Sequence, residues 1–168
     1  MDVRVIFTLV LCLVPVWTCM INSERCCDEE TLQRTAKKKL GSLYPQPPEP
    51  ASVADASAPA TCPLELYQKM LLLPEIKDRS LSPWRYITVT KPNHFPHTYV
   101  EAECLCQGCI LVHENGSVEE SHDYNSAVIT QTRVFLKRVP CSNGTTYRLM
   151  PVSEQVAVGC TCVKYKSS

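Results

Sequence analysis

Cys104-Leu105-Cys106-Gln107-Gly108-Cys109, answered further along by Gly159-Cys160-Thr161-Cys162, puts five cysteines into two tight clusters. Read as chemistry, the pair is a set of disulfides or a metal site. Thiolates this closely spaced on turns suit tetrahedral zinc. Disulfides persist in oxidising compartments, whereas the same spacing in the cytosol favours zinc or redox work. The compartment therefore decides the reading, and the first residues of the chain bear on it.

Arg4 is followed by the apolar run Val5 to Val14, which Pro15 ends. Pro15, Thr18 and Cys19 keep this run shorter than a bilayer span needs, so residues 1–19 are expected to be a signal peptide cut between Thr18 and Ser23. An exported product favours disulfides over zinc, and no metal or cofactor is expected. The formal net charge is +0 at pH 7. That argues against nucleic acid or an anionic membrane as partner, since both need a concentrated positive field.

The 168 residues include 11 cysteines, and cleavage beyond Cys19 leaves an odd number. An odd count in an exported chain points to a covalent dimer or a free thiol.

Residues 20–61 read as an N-terminal extension and a Pro-rich linker. Asp28, Glu29 and Glu30 precede Lys37, Lys38 and Lys39, an order that suits a helix macrodipole. Only Leu32, Ala36 and Leu40 share a helical stripe, so the extension is expected to be disordered or weakly helical. The lysine run reads as a solvated face or a processing site. From Tyr44 to Pro63 the prolines favour extended chain. The domain, 62–168, opens with Leu64 to Leu73, expected to form a short helix or an apolar arm ending before Pro74.

Beyond the arm the pattern is that of strands. Trp84 to Thr90 is rich in β-branched and aromatic residues between prolines. Tyr99 to Cys106 alternates, with Glu101 and Glu103 on the face expected to meet solvent. Asn115-Gly116 marks a hairpin turn. Val128 to Val139 and Tyr147 to Val163, the latter broken by Pro151, are the longest candidates. A dozen residues span about 40 Å. Ribbons of this length around a thin core need cross-links. If Cys104 and Cys109 pair with Cys160 and Cys162, a small covalent ring closes and fixes the strand register. Each such bond removes about 4 kcal/mol of loop entropy from the unfolded chain.

Asn115-Gly116-Ser117 and Asn143-Gly144-Thr145 are glycosylation sequons at turns. His94, His97, His113 and His122 stand in no metal motif, and no phosphate loop or nucleophile elbow is present. No catalytic residue is assigned, and an enzyme is not expected.

Four stretches together resemble the interleukin-17 cytokine family, and within it the C-type branch. They are Arg79-Ser80-Leu81-Ser82-Pro83-Trp84-Arg85-Tyr86, Ala102-Glu103-Cys104-Leu105-Cys106-Gln107-Gly108-Cys109-Ile110, Asn125-Ser126 and Val158-Gly159-Cys160-Thr161-Cys162-Val163. The resemblance covers roughly residues 62 to 163. It implies an all-β, cystine-knot-like fold of long antiparallel ribbons, with serines in place of the knot's third disulfide. Ser126 and one of Ser80 or Ser82 hold those places. The implied pairings are Cys104 with Cys160 and Cys109 with Cys162. Cys62 and Cys141 match positions that join protomers, while Cys26, Cys27 and Cys106 have no assigned partner. One of Cys26 or Cys27 is a candidate to reach Cys106.

The implied activity is that of a secreted, pro-inflammatory, homodimeric cytokine that brings interleukin-17-type receptor ectodomains together. Trp84, Arg85, Tyr86 and Phe95 are the receptor or dimer-interface candidates, with core packing the rival role for Trp84 and Tyr86. The loop Lys91-Pro92-Asn93-His94-Phe95-Pro96 departs from the family pattern. A cysteine-rich extracellular inhibitor or carrier is the alternative function.

Overall fold

The computed structural model describes residues 26–67 and 75–165. The expected signal peptide, its cleavage window and residues 68–74 of the apolar arm lie outside the described residues. The elements are α1 (Glu29–Ser42), α2 (Leu64–Tyr67), α3 (Ile76–Arg79), β1 (Trp84–Thr90), β2 (His94–Phe95), β3 (Thr98–Cys104), β4 (Cys109–Val112), β5 (Val118–Ser121), β6 (Tyr124–Pro140) and β7 (Tyr147–Lys164). The strands form three sheets, ordered β1-β3, β2-β6-β7 and β4-β5.

The chain divides into two compact units, and β6 and β7 contribute residues to both. In its described part the first comprises 26–45, 93–95 and 135–152. Its helix begins where Asp28 accepts a hydrogen bond from the Thr31 amide at 2.8 Å. The two hydrogen bonds to Thr31 hold the Asp28 carboxyl below its usual pKa. Glu29 and Glu30 occupy the first turn and Lys39 the last, favourable charges for the helix dipole.

The sparse stripe is enough to dock α1. Leu32 and Ala36 are buried with Cys27, Phe95, Leu136 and Leu149 in one cluster, and Leu40 packs against it. A disulfide from Cys26 to Cys141 ties the chain just before α1 to the β6–β7 turn. Arg138 stacks on the Tyr147 ring at 3.6 Å and pairs with Glu29 at 2.8 Å. Propensity alone would leave this helix marginal. Tertiary contacts that its own sequence does not display hold it in place.

The second unit comprises 46–67, 75–92, 96–134 and 153–165 in its described part. β1 and β3 pair antiparallel with Trp84 opposite Cys104 and Arg85 opposite Glu103. The alternation expected for β3 is incomplete, because Tyr99 and Ala102, on opposite faces, are both buried. The face carrying Glu101 and Glu103 is therefore partly covered, and it is not a plain solvent face. The hairpin at Asn115-Gly116 joins β4 to β5, with Gly116 at φ 81°, a backbone region that favours glycine.

The second ribbon strand runs through Pro151 without a break. In the sheet order β2-β6-β7, β7 lies at an edge. An edge strand tolerates a residue with no N–H to donate. The presumed linker is also less independent than its composition suggests. Ala54 forms a parallel bridge with Ile87 and donates its amide hydrogen to the Tyr86 carbonyl at 2.7 Å.

Candidate functional site: the disulfide ring and the surfaces around it

Cys104 is bonded to Cys160 and Cys109 to Cys162, closing a ring between the end of β3, the start of β4 and the C-terminal part of β7. The turn Cys106–Cys109 must be tight to bring these sulfurs into line. One carboxylate organises it: Oε1 of Glu120 accepts the amides of Gln107 at 2.8 Å and Gly108 at 2.7 Å. Gly108 itself has no room for a side chain, since a Cβ there would lie 2.4 Å from the Ser121 carbonyl oxygen.

Two flanking segments fasten to the same turn. The amides of Leu105 and Ile110 donate to the carbonyls of Pro83 and Leu81, and the Ser126 amide donates to the Gln107 carbonyl. These bonds bring Ser82 and Ser126 together, and their hydroxyls share a hydrogen bond. Ser82 is fully buried. Of the two candidates for the missing cysteine position, Ser80 and Ser82, it is Ser82 that meets Ser126. The pair is polar but satisfied, which is the condition for burying hydroxyls at small cost.

Cys62 and Cys141 do not stand free at a seam between protomers. Cys62 is bonded to Cys106, with Cα atoms 4.5 Å apart, and Cys141 to Cys26, with Cα atoms 6.2 Å apart. The expectation of an interchain bond at these positions is corrected on that ground, because each sulfur is already consumed within the chain. The suggestion that Cys26 or Cys27 reaches Cys106 falls with it, and Cys27 is itself disulfide-bonded.

Nothing in the spacing of Cys62 or Cys26 marks these partners. The signal is their count, since cysteines this numerous in one chain seek partners. Among the described residues, Cys62, Cys106 and Glu120 are the one trio whose potential metal-ligating atoms converge. Both sulfurs are bonded to each other, so they are not thiolate ligands.

The Cys62–Cys106 bond also anchors α2. Tyr67 is buried with Cys106 and Ile110, and Cys62, Leu64 and Val118 pack around them. Its hydroxyl donates to the Ser80 carbonyl. Burial, with a smaller push from Asp78, raises the Tyr67 pKa to about 12.

The four recognition candidates have separate environments. Trp84 is half-buried, and its ring passes 3.5 Å from where a Cβ would stand on Gly159. It packs on the ring's C-terminal strand, as a core role requires. Arg85 is committed to structure: its Nε meets Glu103 at 2.6 Å and its Nη2 donates to the Ala58 carbonyl. Tyr86 is half-buried and lines a cavity of about 470 Å³ together with Pro47, Pro48, Tyr99, Arg133 and Val158. Phe95 is only 7% exposed and belongs to the cluster beneath α1. It is withdrawn as a contact residue, because β2 pairs it opposite Leu136.

The unusual loop before Phe95 turns at Asn93, whose φ of 64° is one that asparagine tolerates better than most residues. The sequon asparagines sit in exposed turns, where Asn115 Oδ1 accepts from the Ser117 amide and Asn143 Oδ1 from the Thr145 amide.

The interleukin-17 family model matches residues 80–164. Interleukin-17C of Mus musculus is 37% identical over 114 residues, covering 64% of this chain and 57% of that protein. Interleukin-17C of Homo sapiens is 35% identical over 118 residues, covering 66% and 58%. Thus the match spans less than two thirds of these two relatives. Interleukin-17F of Callithrix jacchus is 30% identical over 136 residues, covering 80% of each chain. The matched residues contain the ring, the serine pair and both long ribbons, and the chain belongs to the interleukin-17 family.

Proposed function

We propose that this chain is a secreted cytokine that acts as a homodimer, brings interleukin-17-type receptor chains together and works by binding without chemistry. Membership of the family supports the cytokine role. The observation that carries the dimer is an apolar surface on β6. Val128 is 56% exposed and Ile129 46% exposed. Neighbouring strand residues project to opposite faces. The ribbon thus offers apolar groups on both sides, as a partner surface does.

In this reading residues 1–19 direct export, 20–61 form an extension that folds onto the domain, and 62–168 form the cytokine domain. The ring disulfides position the ribbons. Tyr86 faces the receptor from its cavity, while Trp84 and Arg85 support the strand that carries it. Asn115 and Asn143 carry glycans.

The full chain, expressed in cells, should appear in the culture medium and scatter light as a dimer. V128K/I129K should halve its mass and abolish receptor clustering. A wild-type monomer at micromolar concentration sinks the dimer. Failure to bind any interleukin-17 receptor ectodomain sinks the cytokine reading.

A further inference from the structure

A formal net charge of zero conceals a segregation of charge. Within the described part of the first unit, lysines and arginines outnumber acids seven to three, and the acids are Asp28, Glu29 and Glu30, all at the start of α1. The whole chain is neutral, so the balancing acid lies outside this unit.

The helix buries Leu32, Thr35 and Ala36, which leaves Arg34, Lys37 and Lys38 exposed on its outer side. Their spacing of three and four residues places them beside one another on a single face. Arg34 meets Glu30 at 2.7 Å, but both side chains are largely exposed, and such a pair holds an arginine only weakly. Lys137 and Arg148 are exposed on the ribbon of the same unit.

We propose that this outer face of α1 binds a sulfated glycosaminoglycan. The inference goes beyond the receptor-binding reading and does not depend on it. A row of cations on an exposed helix suits a flexible linear polyanion. A bilayer is a poor fit, because the apolar stripe Leu32 and Ala36 is already buried. Single-stranded nucleic acid is a poor fit as well, because it asks for aromatic platforms. Here Phe95 and Phe135 are buried and Tyr147 lies under Arg138.

The test is binding of the full exported chain to heparin across a salt series, with a plain sulfonate resin for comparison. Retention on heparin should exceed that on the resin. K37Q/K38Q should reduce the slope of log affinity against log salt by about 1.5 to 2 in magnitude, by analogy with counterion release from nucleic acids. K37R/K38R should restore it. R79Q/K164Q, which removes exposed cations from the second unit, should leave it unchanged. Equal shifts from the two Gln pairs, equal retention on both resins, or binding of DNA or anionic vesicles as tight as that of heparin would overturn the proposal. Receptor binding measured on the same variants keeps this result separate from the cytokine reading.

Discussion

The two units are stabilised by different means. In the first, a helix with a thin apolar stripe is held by disulfides at Cys26 and Cys27, a small buried cluster and the stacking of Arg138 on Tyr147. In the second, three disulfides and a network of turn hydrogen bonds converge on a few residues around Glu120 and Ser82. Where burial is thin, covalent closure does most of the work. Where a helix can cover a ribbon, ordinary packing shares the load with the cross-links.

Removing Cys104 and Cys160 together, as C104S/C160S, should have the largest effect. The bond closes a loop with a sequence separation of 56, worth about 4 kcal/mol in the chain-entropy model. Denaturant unfolding checks the loss, and hydrogen exchange should show it concentrated in the second unit. Leu32→Ala should come next, at about 3 kcal/mol, because the side chain is 1% exposed and leaves a cavity. Its loss of exchange protection should fall in the first unit. Equal loss in both units would mean that they unfold as one and are not stabilised separately.

Ser82→Ala should cost about 1 to 2 kcal/mol by stranding the Ser126 hydroxyl, whereas S82A/S126A should be nearly neutral. A double change as costly as the single one would show that the pair contributes more than its mutual satisfaction. The last effect concerns Tyr67 and vanishes at neutral pH. Its raised pKa means that the folded chain keeps a proton the unfolded chain has lost, so stability should fall as pH rises from about 10 to about 12. Ultraviolet titration should find a tyrosine ionising near pH 12, and Tyr67→Phe should remove that step while Tyr99, which burial also raises, still ionises above the ordinary tyrosine value.

The sequence displays some of this directly. The two cysteine clusters, the bounds of β1 and the Asn115-Gly116 hairpin follow from local spacing and turn chemistry, whereas the pairing within the ring is what the family resemblance implies. What is hidden depends on partners distant along the chain. The docking of α1 rests on Phe95, Leu136 and Leu149, which carry no mark of a helix above them. Pro151 reads as an interruption until its strand proves to be an edge. The bonds of Cys62 and Cys26 are invisible to spacing because disulfide connectivity is a property of the folded chain. Phe95 looks like an exposed aromatic anchor in a loop and is core. Glu120 looks like surface charge on β5 and organises the ring's turn.

The bond between Cys62 and Cys106 also bears on the order in which the molecule is made. As the chain emerges from its N-terminus, Cys62, Cys104, Cys106 and Cys109 all appear before Cys160 and Cys162 exist. Cys62 therefore meets the three thiols of this turn early, and only its union with Cys106 leaves Cys104 and Cys109 for the ring. An early bond to either neighbour has to be undone by thiol–disulfide exchange. Oxidative refolding with a glutathione couple or an isomerase should thus recover more native protein than rapid air oxidation. The six residues that give the ring its tightness also make it easy to assemble wrongly.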